Sequence, residues 1–83
     1  MLTIDKNILK TDDFVLDLRQ VSCITKVIET KAYYSYYYVK IKVIDCYLFS
    51  YEVNNEQEQE NIFNKVSSAW ELIKKDPDKK DDL

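Results

Sequence analysis

Tyr36-Tyr37-Tyr38-Val39-Lys40-Ile41-Lys42-Val43 is the stretch that decides the fold. Tyr37, Val39, Ile41 and Val43 fall on one side of an extended chain, and Tyr36, Tyr38, Lys40 and Lys42 on the other. β-Branched and aromatic residues at a period of two make a strand with one apolar face. Downstream, Tyr47, Phe49, Tyr51 and Val53 repeat the pattern, with Leu48, Ser50 and Glu52 opposite. Ile44-Asp45-Cys46 is the expected turn between the two strands.

Upstream, Val21-Ser22-Cys23-Ile24-Thr25-Lys26-Val27-Ile28 is also strand-like, and its alternation slips by one near Cys23-Ile24, which predicts a bulge or bend. Phe14-Val15-Leu16-Asp17-Leu18 alternates with Phe14, Leu16 and Leu18 on one side. Met1–Ile4 is a candidate first strand, joined by a polar link through Lys10-Thr11-Asp12-Asp13.

The helix follows Asn54-Asn55. Asn55 as N-cap, with Glu58 three residues on, makes a capping box with Asn in place of Ser or Thr. Ile62, Phe63, Val66, Ala69, Trp70 and Ile73 recur at spacings of three and four, forming one apolar stripe. Glu56, Glu58 and Glu60 lie at the positive end of the helix dipole, Lys74 and Lys75 at the negative end. Pro77 stops the helix. The expectation is an α+β fold, an antiparallel sheet of about four strands packed by one C-terminal amphipathic helix. It occupies residues 1–75, with 76–83 a charged, disordered tail.

At 83 residues the chain is one domain. No apolar run reaches membrane length and no leader pattern opens the chain, so a cytoplasmic protein without membrane contact is expected. Glycine is absent, where average usage predicts about six residues. Its absence excludes the glycine loops that cradle phosphates and forces turns onto Asn, Asp, Ser or Lys. There is no histidine, so Ser-His, Cys-His and histidine acid–base chemistry are excluded. Cys23 and Cys46 match no metal spacing. They are expected as buried free thiols, with a disulfide between neighbouring strands as the alternative. No catalytic residues, cofactor or metal are expected; the chain is read as a non-enzymatic binding module.

All seven tyrosines lie between Tyr33 and Tyr51. Sheet packing against the helix accounts for Tyr37, Tyr47 and Tyr51, but leaves Tyr34, Tyr36 and Tyr38 on the opposite side. Rigid exposed tyrosines give large contact area at low entropic cost. Tyr34, Tyr36 and Tyr38 with Lys40 and Lys42 are therefore the candidate binding face, for a protein partner or for a second copy as a homodimer. Single-stranded nucleic acid is the rival, since aromatic residues interleaved with lysines bind single strands. Charge disfavours it: residues 1–51 carry seven basic and six acidic side chains, residues 52–83 five and nine, and phosphate binding is mainly electrostatic. Glu52, Glu56, Glu58 and Glu60 form an acidic alternative site suited to a basic protein groove.

From Leu18 onward, the layout resembles small phage and bacterial proteins with a pleckstrin-homology-like sheet and one C-terminal helix. The resemblance is carried by Leu18-Arg19-Gln20-Val21-Ser22-Cys23-Ile24, by Tyr37–Val43, and by Tyr51–Glu58 leading to Phe63 and Trp70. Ile44-Asp45-Cys46 stands where that layout has a glycine-containing turn. Similar small acidic proteins of mobile elements inhibit host defence, CRISPR complexes included. The resemblance implies a comparable role by protein contact.

Overall fold

The computed structural model describes residues 1–44 and 47–75. Six strands, one 3₁₀ turn and one helix follow in order: β1 (Thr3–Asp5), β2 (Ile8–Lys10), β3 (Val15–Asp17), the 3₁₀ turn Leu18–Gln20, β4 (Val21–Lys31), β5 (Tyr34–Val43), β6 (Leu48–Val53) and α1 (Glu56–Lys75). The α+β class and the single helix are as the sequence predicts. The expected sheet of about four strands is instead two three-stranded antiparallel sheets, β1-β2-β3 and β4-β5-β6.

The strand that the sequence reading did not offer is β2, which runs into the polar link at Lys10. Leu9 pairs with Ile4 on one side and Leu16 on the other, and its side chain is fully buried. Thr11, also buried, ends β2 by folding the chain back: its Oγ1 accepts from the amides of Asp13 and Phe14 at 3.1 and 3.0 Å. With no glycine to supply positive φ, Lys6 (57°) takes that role in the β1–β2 turn and Ala32 (54°) in the β4–β5 turn.

In the second sheet, β5 is the central strand. Ile41 lies between Ile24 and Phe49, and Val39 between Lys26 and Tyr51. The predicted bulge is present: the β4–β5 register shifts between Val21 and Cys23. One extra residue at Ser22 lets Val21 and Ile24, three apart, both face the core. The same shift puts Cys23 on the other side, so Cys23 is an exposed thiol and not the buried one expected. The disulfide alternative, and the turn through Asp45 and Cys46, lie outside the described residues. So does the proposed tail, Asp76–Leu83.

The core lies against one face of β4-β5-β6. Val39 and Ile41 from that face meet Leu2, Leu9, Leu16 and Leu18 from the N-terminal meander and Val66 from α1. The predicted helix stripe packs here, with Ile62, Phe63, Ala69, Trp70 and Ile73 lining the same cluster. Phe14 joins it by stacking on Phe49 at 4.9 Å between centroids. Helix and meander thus cover the same face of the larger sheet.

The helix start is fastened twice. Asn55 Oδ1 accepts from the Glu58 amide at 2.8 Å, and Glu58 Oε1 accepts from the Asn54 amide at 2.8 Å, one residue earlier than an ideal capping box. One turn in, Gln59 is buried, and its side-chain nitrogen donates to the carbonyls of Val27 and Tyr38, both at 3.0 Å. That pair of bonds ties α1 to β4 and β5 together.

Asp17 caps the 3₁₀ turn. Its carboxylate accepts from the Arg19 amide at 2.9 Å, from Arg19 Nε and from Arg19 Nη2, and from Asn7 Nδ2 at 2.9 Å. The Arg19 side-chain bonds above all, then those from Asn7 and the backbone, hold the carboxyl far below its usual 3.8 against the opposing effect of burial. A carboxyl depressed in the folded state adds stability that is complete above its unfolded pKa and lost as pH falls below it. Asp17→Asn is therefore expected to be less stable than wild type at pH 7, and to lose that disadvantage progressively below about pH 4. Urea midpoints of both proteins across this range check the convergence.

Candidate functional site

Strand parity sorts the tyrosines. Tyr37 and Tyr51 are half-buried on the core side of the sheet, as expected. Tyr47, expected in the core, is 66 % exposed; it precedes the first ladder pair of β6, and its carbonyl accepts from the Val43 amide at 2.8 Å. Tyr34, Tyr36 and Tyr38 alternate with these on β5 and stand on the face that neither helix nor meander covers. Lys40 and Lys42 continue the same row. The structure brings all five residues of the predicted binding face into one line along the central strand.

The flanking strands complete the surface. Across from Tyr36 is Glu29, and across from Tyr38 are Val27 and Glu52. Lys40 lies between Thr25 and Ser50, and Lys42 between Cys23 and Leu48. Leu48 is 56 % exposed and Tyr34 69 %, so the face carries apolar area at both ends. Tyr36 and Tyr38 are half-buried, their rings resting among neighbours on the sheet. Lys40 Nζ is 3.6 Å from Glu29 and lies over the Tyr38 ring at 5.6 Å, so the middle of the row is already ordered. Beyond Val53 the β4–β5 hairpin continues without β6, ending at the fully open Tyr33 (96 % exposed).

Loss of water around its phenol, and then the carboxylates Glu52 and Glu29, push the Tyr38 pKa above its usual 10.0. At neutral pH Tyr38 is a neutral hydroxyl, suited to hydrogen bonding and stacking and not to proton abstraction.

The acidic alternative is dispersed. Glu52 belongs to the tyrosine face, opposite Tyr38. Glu58 is engaged in the cap, and Glu60 accepts two bonds from Lys26, whose ammonium also sits 4.9 Å over the Phe63 ring. Glu56 alone of the four is an exposed carboxylate on the first turn with no such bond among the described residues. These four residues do not form one surface.

One groove of about 470 Å³ opens between the 3₁₀ turn and the end of α1, lined by Leu18, Arg19, Ser22, Trp70 and Lys74. Its two cations already have partners: Arg19 is held by Asp17, and Lys74 lies 4.3 Å over the Trp70 ring. Among the described residues, no three His, Cys, Asp or Glu side chains converge as metal ligands would. No helix among them is long and apolar enough to cross a membrane.

Sequence reasoning missed Glu29, Val27 and Thr25 as parts of the face. Their signal was available, since the bulge at Ser22 fixes which β4 residues share a side with Tyr36 and Tyr38.

Comparisons with models of protein families, with curated proteins and with solved structures found no match. Fold and site together define an α+β module with two antiparallel sheets, one face of the larger sheet closed by helix and meander and the other uncovered among the described residues.

Proposed function

We propose that this chain is a protein-binding module that works by contact rather than catalysis, through the open face of β4-β5-β6. The observation that carries this is the row Tyr34, Tyr36, Tyr38 on a face that no element among the described residues covers. Aromatic residues held by a central strand lose little conformational freedom on binding and are enriched in contact surfaces. The carboxylates Glu29 and Glu52 beside Tyr36 and Tyr38 argue against phosphate backbones and so against single-stranded nucleic acid. The resemblance drawn from Leu18 onward makes a host-defence complex one protein partner to look for.

Replacing both Tyr36 and Tyr38 by Ser removes the row's centre while leaving Val39 and Ile41 in place. The double variant is expected to stay folded, losing about 1–2 kcal/mol of cross-strand packing, and to lose the partners that the wild-type chain captures from its native host. Capture of the same proteins by both chains would refute the reading. Binding of labelled single strands at micromolar protein would replace it with the nucleic-acid one.

A further inference from the structure

The open face is polarised along the strands. Its hairpin half carries Glu29 beside Tyr36, Glu52 beside Tyr38 and, at its tip, Lys31 beside Tyr34, a net negative charge, while its other half carries Lys40 and Lys42. Two copies of such a face stack in two symmetric ways with the strands aligned. In one, strands run parallel between the sheets, lysines lie over lysines, and Glu52 of each copy comes next to Glu29 of the other. In the other, strands run antiparallel, and each hairpin half lies over the lysine half of its partner.

We infer that the partner of this face is a second copy of the chain, stacked antiparallel, with Tyr38 and Tyr36 of each copy on Lys40 and Lys42 of the other. The inference rests on the reading of this face as a contact surface. A two-fold axis between the levels of Tyr38 and Lys40 sets each tyrosine against an ammonium, an arrangement attractive in itself. It places Glu52 opposite Ser50 rather than opposite its own copy, and Glu29 next to Lys42. Shifting the axis onto Tyr38 would set Glu52 against Glu52. The charges therefore select both direction and register.

Three strands over Tyr37–Lys42, and two from Tyr34, give a face about 10–14 Å wide and about 27 Å long. That is less than the ~800 Å² per partner of a stable complex, so the dimer is weak and forms reversibly with concentration. Part of its attraction is between charges that water and ions reach, so added salt weakens it.

Sedimentation velocity between about 10 μM and 1 mM tests this, a range that brackets a weak homodimer. The wild-type chain is expected to pass from monomer to dimer. Lys40→Glu with Lys42→Glu, and separately Glu29→Lys with Glu52→Lys, are each expected to weaken association at least tenfold. Mixing the two variants is expected to restore it as a heterodimer. All four positions are at least partly exposed, and far-ultraviolet circular dichroism confirms that each variant is folded before it is scored. A wild-type chain that stays monomeric to 1 mM overturns the inference but not the contact-surface reading, which the capture experiment judges separately. A dimer indifferent to both charge reversals overturns it too, as does failure of the mixed variants to associate.

Discussion

Ile41→Ala is expected to leave most of the protein unfolded in low urea. Ile41 is fully buried at the centre of the middle strand, between Ile24 and Phe49. Removing its branched side chain forfeits the burial and leaves a cavity, together worth about 3–4 kcal/mol. A domain of this size holds only about 4–8 kcal/mol in total. The neighbouring outward position provides the contrast, because the serine replacements at Tyr36 and Tyr38 touch no core residue. The urea midpoint should collapse for Ile41→Ala and move modestly for the tyrosine variant. Equal shifts would mean that the two faces of β5 are not the closed and open faces described here.

Gln59→Glu is the second large effect. The wild-type amide donates both its hydrogens to carbonyls, those of Val27 and Tyr38. A carboxylate there would point an anion at two acceptors inside the molecule, with no donor to compensate. The loss is expected at about 3 kcal/mol or more at pH 7, from unsatisfied buried groups and the buried charge together. Its pH dependence identifies the cause. Burial raises the introduced carboxyl's folded pKa above its unfolded value of about 4.3, so the penalty grows as pH rises through that value and shrinks below it. Gln59→Leu, which introduces no charge, is expected to cost less and to show no such dependence. Urea midpoints at pH 4.5 and pH 7 for both variants distinguish the two.

The parts of this fold legible in the sequence are those where periodicity runs long enough. Ten residues of β5 and twenty of α1 repeat their patterns several times over, and the cap at Asn55 and Glu58 has a fixed spacing. The N-terminal meander was legible only in part: Met1–Ile4 and Phe14–Leu18 read as strands, but the three residues of β2 complete barely one period. Its first turn also hides behind a lysine with positive φ, where a glycine would have marked it. Gln59 escaped for a different reason. It lies in phase with Ile62, Phe63 and Val66, yet a polar residue in an apolar stripe looks like the edge of the stripe. Only the two carbonyls beneath it make it part of the core.

The candidate site was half legible. Its central row follows from the parity of β5 alone. Its β6 flank follows from the alternation of Leu48, Ser50 and Glu52, whereas its β4 flank depends on where the bulge at Ser22 resets that strand's alternation. The same shift explains why Cys23 emerges on the surface. The four glutamates gathered by sequence proximity come apart because a strand end and a helix start point their side chains in different directions.

Hydroxyl-radical footprinting, free and in complex, tests most directly whether the open tyrosine face is where this protein makes contact. The complex is whichever one the wild-type chain forms, with itself at high concentration or with a captured partner. Protection is predicted at Tyr34, Tyr36, Tyr38 and Leu48, with Leu72, exposed on α1, labelled equally in both states. Protection centred on α1, with the tyrosine row still fully labelled, would contradict it.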